Sequence, residues 1–392
     1  MTEVTERPIP PADQESARHY SRAKLRLSLA STLAELILLT VLAFGGASLA
    51  LEQIVVRWLP AHASAWLIVL GYVIGLGILF KLLALPFGLA EQNVEIRYGL
   101  NRQHWGSWWA DEAKSLALET TLGIAAIELI YALLRSAPQI WWLWGWLVFL
   151  AFSILLAQLA PVLLFPLFFK FRELSPDNPQ EAELIERLNA RAAAAGARIR
   201  GIYEWKLGEK TVKANAALAG WGATRRVLIS DTLLRTAALE EIEAVFTHEL
   251  GHHVHRHIRQ GIWLQAGLSL AGFWLSAKVL QALNAPLHLH GVADIAGLPV
   301  LALVVAAFSL LLMPLANAFS RRLERQADDY VFSSMGKIEP LVQGLERLAQ
   351  RNLAEVAPPR WKELIFYSHP AIATRIKRAR EWENRRTAMA ES

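Results

Sequence analysis

Apolar positions gather into six runs long enough to cross a bilayer: approximately Ser28 to Leu51, Ser64 to Gly88, Leu116 to Leu134, Trp141 to Phe165, Gly261 to Leu283 and Ala296 to Ala318. A membrane-crossing helix needs about 20 largely apolar residues, because about 30 Å of hydrocarbon is traversed at about 1.5 Å per residue. Each run therefore predicts a transmembrane helix. Glu35, Lys81, Glu128 and Lys278 are the main charges inside them and read as helix-end groups or interhelical pairs.

The hydrophilic positions fall in two blocks, Arg172 to Gln260 and Ser320 to Ser392, separated by a hairpin of the last two runs. In the first block Leu184, Ile185 and Leu188 recur at helical spacing and predict a helix over Glu181 to Ala197. Short β-prone runs at Ile199 to Leu207, Val212 to Leu218 and Val227 to Ser230, with Gly-containing turns between them, predict a small sheet. From Ala237 the stripe of Leu239, Ile242, Val245 and Phe246 predicts a helix that continues through a group of histidines towards the fifth run. Glu339 to Leu353 and Ala371 to Glu383 read as amphipathic helices. The expected organisation is an N-terminal segment over 1–27, a four-span membrane domain over 28–170 with a loop at 89–115, a hydrophilic part over 171–260, a transmembrane hairpin over 261–318 and a second hydrophilic part over 319–392. The fold class is mainly α and multi-pass.

Composition agrees: 54% of the 392 residues are hydrophobic and 19% charged, against about a quarter charged in ordinary soluble domains. The formal charge of +5 contains no basic block long enough to follow a phosphate backbone, and no helix-turn-helix or zinc-finger pattern accompanies it, so nucleic acid is not an expected partner. Cysteine is absent, which excludes disulfides, thiolate metal ligands and cysteine nucleophiles. Lys and Arg beside the runs, among them Arg18, Arg22, Lys24, Arg97, Arg102, Lys170, Arg172, Arg256, Arg259, Arg321 and Arg322, fall on one side when six spans are counted. That places both termini and both hydrophilic blocks in the cytoplasm, with the first run as a retained signal anchor.

One motif carries chemistry. His248-Glu249-Leu250-Gly251-His252 puts two histidines at i and i+4 on one helix face, where both imidazoles reach one zinc ion, and sets Glu249 beside them as general base. A catalytic zinc takes three protein ligands and leaves a fourth position open. Without cysteine the third is a histidine or a carboxylate. Glu324 and Asp328, themselves i and i+4 at the inner end of the sixth run, suit it: Glu324 as ligand, Asp328 as the group that orients a ligand histidine. His253, His255 and His257 read as solvent or headgroup contacts, and His288 and His290 fall in the opposite loop. The tryptophans, including Trp105, Trp108, Trp109, Trp141, Trp142, Trp144 and Trp146, read as interfacial anchors.

These motifs resemble the type I CAAX prenyl protease family, integral-membrane zinc endopeptidases of gluzincin type. The resemblance also includes Asn215-Ala216, the run Val227 to Leu234, Ser368-His369-Pro370 with Arg375, Tyr98 to Gln103 and Pro166 to Phe171. The last two separate it from the shorter stress-induced membrane proteases of the HtpX type. It implies a cytoplasmic gluzincin-type domain split by the transmembrane hairpin, one zinc per chain held by His248, His252 and Glu324, and Asp328 behind them. It further implies Asn215 and Ala216 on a strand that pairs with substrate, His369 as oxyanion stabiliser or proton donor, and Arg375 as support for His369 or anchor for substrate or Glu324. Two departures are the count of six spans, where eukaryotic members have one more, and Thr374, where the family carries an acid.

The expected function is hydrolysis of peptide bonds in membrane-associated or lipidated substrates at the cytoplasmic face, in a bacterial inner membrane. The alternatives are a quality-control protease of the HtpX type and, in another class, a membrane protein that binds or transports metal without chemistry.

Overall fold

The computed structural model describes residues 11–220 and 225–391. The first ten residues of the expected N-terminal segment lie outside the described residues. Among the described residues six helical stretches are long and apolar enough to cross a membrane: Gln14–Phe44, Ala65–Arg97, Trp105–Ser136, Trp141–Phe168, His257–Leu283 and Ile295–Met335.

Helix α1 (Pro11–Phe44) begins well before the first apolar run and ends inside it. The stop is set by Gly45 and Gly46. Gly46 adopts φ 75°, a left-handed conformation that only glycine takes without cost. The chain turns there into a separate helix, α2 (Ala47–Trp58), so Ser28 to Leu51 is not one span as the hydropathy suggested. Helices α3 (Ala65–Arg97), α4 (Trp105–Ser136) and α5 (Trp141–Leu159) follow. A π-helical turn over Ala160–Leu164 and the short α6 (Phe165–Phe168) complete the fourth stretch. Lys81 of α3 pairs with Glu112 of α4 at 2.6 Å. Of the tryptophans read as interfacial anchors, Trp108 and Trp141 are buried against protein, whereas Trp105, Trp109 and Trp144 are exposed.

Beyond the membrane domain come β1 (Phe171–Glu173), α7 (Pro179–Ala194), β2 (Gly201–Trp205), β3 (Ala216–Ala219), β4 (Arg226–Ser230), α8 (Asp231–Leu234) and α9 (Leu239–Val254). Asn178 caps α7 by accepting from the Gln180 amide, and Ser230 caps α8 by accepting from that of Leu233. The sheet has the order β1-β2-β4-β3. β2 and β4 run parallel, the other pairs antiparallel, and β3 is an edge strand. It is shorter than its hydrophobic run because the preceding residues bond elsewhere. Arg102 N–H donates to Lys210 C=O at 2.8 Å and Val212 N–H to Leu100 C=O at 3.0 Å. The Asn352 side chain bonds both the N–H and the C=O of Ala214, at 2.9 and 3.1 Å. The loop after α3 and the segment leading into the edge strand are thus tied together by backbone bonds.

Helix α9 does not run on into the fifth span. Arg256, with φ 56°, breaks it, and α10 (His257–Leu283) starts afresh. Then come α11 (Leu298–Met335), α12 (Glu339–Asn352), α13 (Arg360–Phe366) and α14 (Ile372–Glu391). Leu184, Leu188, Val227, Ile229, Phe246 and Leu250 form one core between α7, the sheet and α9. Ala244, Val331, Phe332, Leu341 and Leu345 form another, binding α9 to α11 and α12. Helix α9 is therefore packed on two sides. Helix α11 belongs to both compartments, since its 38 residues carry the sixth apolar run and then enter the hydrophilic part.

Candidate metal centre

His248, Glu249 and His252 lie on α9, and Glu324 faces them from α11. The two helices come close because Gly251 has no side chain. A Cβ there would stand 2.9 Å from Ala327 Cα and 3.0 Å from its carbonyl oxygen, inside van der Waals contact. This contact brings the three expected donors together: their ligand atoms all lie within 4.8 Å of one another. His248 Nε2 is 3.2 Å from His252 Nε2 and 3.1 Å from Glu324 Oε2, and His252 Nε2 is 3.4 Å from Glu324 Oε1. Donors about 2.0 to 2.1 Å from a tetrahedral zinc are themselves about 3.3 Å apart. Separation and donor chemistry both fit that ion.

Asp328, fully buried one turn along α11, has Oδ1 3.0 Å from His248 Nδ1. Arg375 of α14 donates to the same carboxylate, Nη2 to Oδ1 at 2.6 Å and Nε to Oδ2 at 2.9 Å. The guanidinium therefore holds Asp328, a partner outside the three that the resemblance offered, namely His369, substrate or Glu324. His369 stands in the turn before α14 with its side chain 60% exposed and Nε2 3.3 Å from Glu324 Oε1.

A cavity of about 350 Å³ opens over these groups. His248, Glu249, His252, Glu324 and His369 line it, with Leu218 and Gly220 at the edge-strand side and Arg225, His253 and Ile258 around the rim. Ala216 opens β3 and Asn215, exposed, precedes it, its N–H donating to Ser230 Oγ at 2.9 Å. Sequence reasoning missed Leu218, and it misplaced His257, which is buried 2.9 Å from His252 instead of facing solvent or headgroups. Helical spacing could not show this, because the turn at Arg256 interrupts the periodicity. His290 pairs with Asp294 at 3.1 Å, far along the chain from the site.

The electrostatics are those of crowded donors. Burial pulls the His248 imidazole down, but hydrogen bonds to Asp328 and Glu324 outweigh it and raise it to about 9. Burial, with cationic His248 beside it, takes His252 down to about 4. Burial lifts the Glu249 carboxyl above its ordinary value; His248 opposes the shift and Glu324 adds to it. The Arg375 guanidinium stays charged despite its burial because Asp328 holds it.

Comparison with known proteins agrees with this geometry. The sequence pattern of peptidase family M48 matches residues 178–383, and the pattern described as the CAAX prenyl protease N-terminal domain, five membrane helices, matches residues 1–170. In that second region the described residues hold four membrane-length helices and the short α2. An uncharacterised metalloprotease of Bacillus subtilis, YhfN, is 30% identical over 95% of this chain and 87% of its own. CAAX prenyl protease 1 of Saccharomyces cerevisiae is 26% identical over 76% of this chain and 69% of its own. The crystal structure of S. mikatae Ste24p superposes with a TM-score of 0.83 at 22% identity, covering 96% of this chain and 92% of that one, a likeness of fold.

Proposed function

The chain belongs to peptidase family M48 and is a membrane-embedded zinc metalloendopeptidase, and on that premise we propose that His248, His252 and Glu324 hold its zinc and that Glu249 is the general base. The observation that carries this reading is the convergence of the three donor atoms within 4.8 Å in one cavity with Glu249.

Zinc bound there supplies Lewis acidity, bringing water within reach of deprotonation near neutral pH and polarising the scissile carbonyl. Glu249 takes the proton of the attacking water on its carboxylate and returns it to the departing amine. Asp328 accepts from His248 Nδ1–H and leaves Nε2 free to bind metal, and Arg375 fixes Asp328 in turn. His369 reaches the cavity from the side of Glu324 and donates to the developing oxyanion, a contribution of about 3 kcal/mol for one well-placed donor. The outer edge of β3, entered through Asn215 and Ala216, pairs with an extended substrate backbone.

The two catalytic parts are 171–260 and 319–392, joined through the hairpin. The reading extends to lipidated, CAAX-type substrates cleaved at the cytoplasmic face of a bacterial inner membrane. Two features support it: the N-terminal domain shared with CAAX prenyl proteases, and the basic residues gathered beside the spans on the side of the site.

The test is cleavage of a quenched peptide by purified protein and by Glu249→Gln. The variant is expected to keep its zinc and lose about 10² to 10⁴ in rate; undiminished proteolysis would remove Glu249 from the mechanism. A farnesylated peptide and its unlipidated twin decide the substrate class, faster cleavage of the first being expected. The cysteine-free chain allows one introduced cysteine at Lys206 to report sidedness by labelling, expected from the cytoplasm only.

A further inference from the structure

His257 is the first residue of α10, the fifth span, and is only 4% exposed. Its Nδ1 lies 2.9 Å from His252 Nδ1, and its Nε2 lies 2.9 Å from Gln326 Oε1 on α11. Five residues beyond His252 on a continuous helix, this side chain would point away from the metal face. The left-handed turn at Arg256, φ 56°, redirects the chain so that the imidazole folds back onto His252.

Proton placement in this row is determined by its two ends. If Nε2 of His252 binds metal, that nitrogen carries no proton and Nδ1 must carry one. Nδ1–H then donates to His257 Nδ1, which must be the bare nitrogen, so His257 carries its proton on Nε2 and donates it to Gln326 Oε1. Every donor meets an acceptor, and no group in the row needs a charge. We propose that His257 is a positioning residue for the metal centre: it selects the tautomer and ring orientation of His252, and Gln326 selects those of His257. The proposal rests on the ligand set given above. It assigns His252 what Asp328 gives His248, with one difference. Asp328 brings a negative charge, whereas the row behind His252 is neutral and spans the two helices of the transmembrane hairpin. The second zinc histidine is thereby oriented from α10 and α11, the two helices of the hairpin.

Zinc affinity, measured by competition with a chelator on the purified full chain in detergent, tests this without reference to proteolysis. Losing the partner behind a ligand histidine typically weakens metal binding 10- to 100-fold, and that is the loss expected for His257→Ala. His257→Asn, whose Oδ1 stands near the place of the imidazole Nδ1 and accepts a hydrogen bond, is expected to recover most of it. Gln326 gives the sharper test, since its side chain bonds His257 and is not itself among the proposed ligands. Gln326→Glu keeps an acceptor opposite His257 Nε2–H and is expected to bind zinc at least as tightly as the parent. Gln326→Lys presents only donors, forces His257 to turn its proton round and is expected to lose affinity. Equal affinities for these two variants would overturn the proposal, as would undiminished binding by His257→Ala. X-ray absorption showing a third histidine nitrogen on the zinc would overturn it too, by making His257 a ligand. Should His252→Ala leave zinc binding unchanged, the ligand set itself would fall, an outcome separate from these.

Discussion

Arg375 and Asp328 face each other from α14 and α11 in a two-point contact, Nη2 to Oδ1 at 2.6 Å and Nε to Oδ2 at 2.9 Å. Asp328 is fully buried, so removing Arg375 takes away its cationic fork and leaves the carboxylate with only His248 as donor. Breaking a buried pair from one side costs about 3 to 5 kcal/mol. Arg375→Met is expected to lower the unfolding temperature in detergent by several degrees or more, and Arg375→Lys, which keeps the charge but not the fork, by less.

Gly251 permits the contact between α9 and α11 on which the donor distances depend. A methyl group there meets Ala327 backbone at 2.9 Å, and overpacking of this kind costs about 1 to 3 kcal/mol. Gly251→Ala is expected to separate Glu324 from the two histidines, seen as less zinc per chain by elemental analysis. Gly267→Ala, where a Cβ meets nothing within 4 Å, is the control and should keep its zinc.

Asn352 holds the residue that leads into the edge strand, bonding the N–H and C=O of Ala214. Asn352→Ala leaves both without that partner, at about 1 to 3 kcal/mol. If β3 aligns substrate, the loss falls on binding more than on chemistry. Steady-state kinetics on a quenched peptide should show KM raised about tenfold, toward the lower end of that range, with kcat changed far less.

Held by the proposed ligands, a metal would join α9 to α11 and should stabilise their packing in proportion to its occupancy. A ligand specific to the folded state contributes about 2.7 kcal/mol at a hundred times its dissociation constant. Chelation is expected to abolish peptide cleavage and lower the unfolding temperature, and added zinc to restore both. In Glu324→Ala the unfolding temperature should respond much less to zinc.

How much of this was legible in the sequence depended on distance along the chain. The pair His248 and His252 needs only helical spacing, and Glu324 with Asp328 repeats that spacing at the end of an apolar run, so both could be found without coordinates. The six spans were visible in outline because bilayer thickness fixes their length. Their ends were not: Gly45 and Gly46 stop α1 early, a backbone event that a hydropathy count does not register. Strand β1 has three residues, too few to show alternation. His257 was misread because the break at Arg256 occurs in a residue without turn propensity, φ 56°. The partner of Arg375 was open for another reason: α14 and α11 are joined only by tertiary packing.

The long helix α11 has a consequence for biosynthesis. His248 and His252 leave the ribosome before the hairpin is made, Glu324 follows after it, and the support of Arg375 comes only with α14. A nascent chain therefore exposes two histidines and a base but no complete metal centre while the insertion machinery is still threading it. On the proposed ligand set, the metal centre can be completed only after the hairpin and α14 have been made.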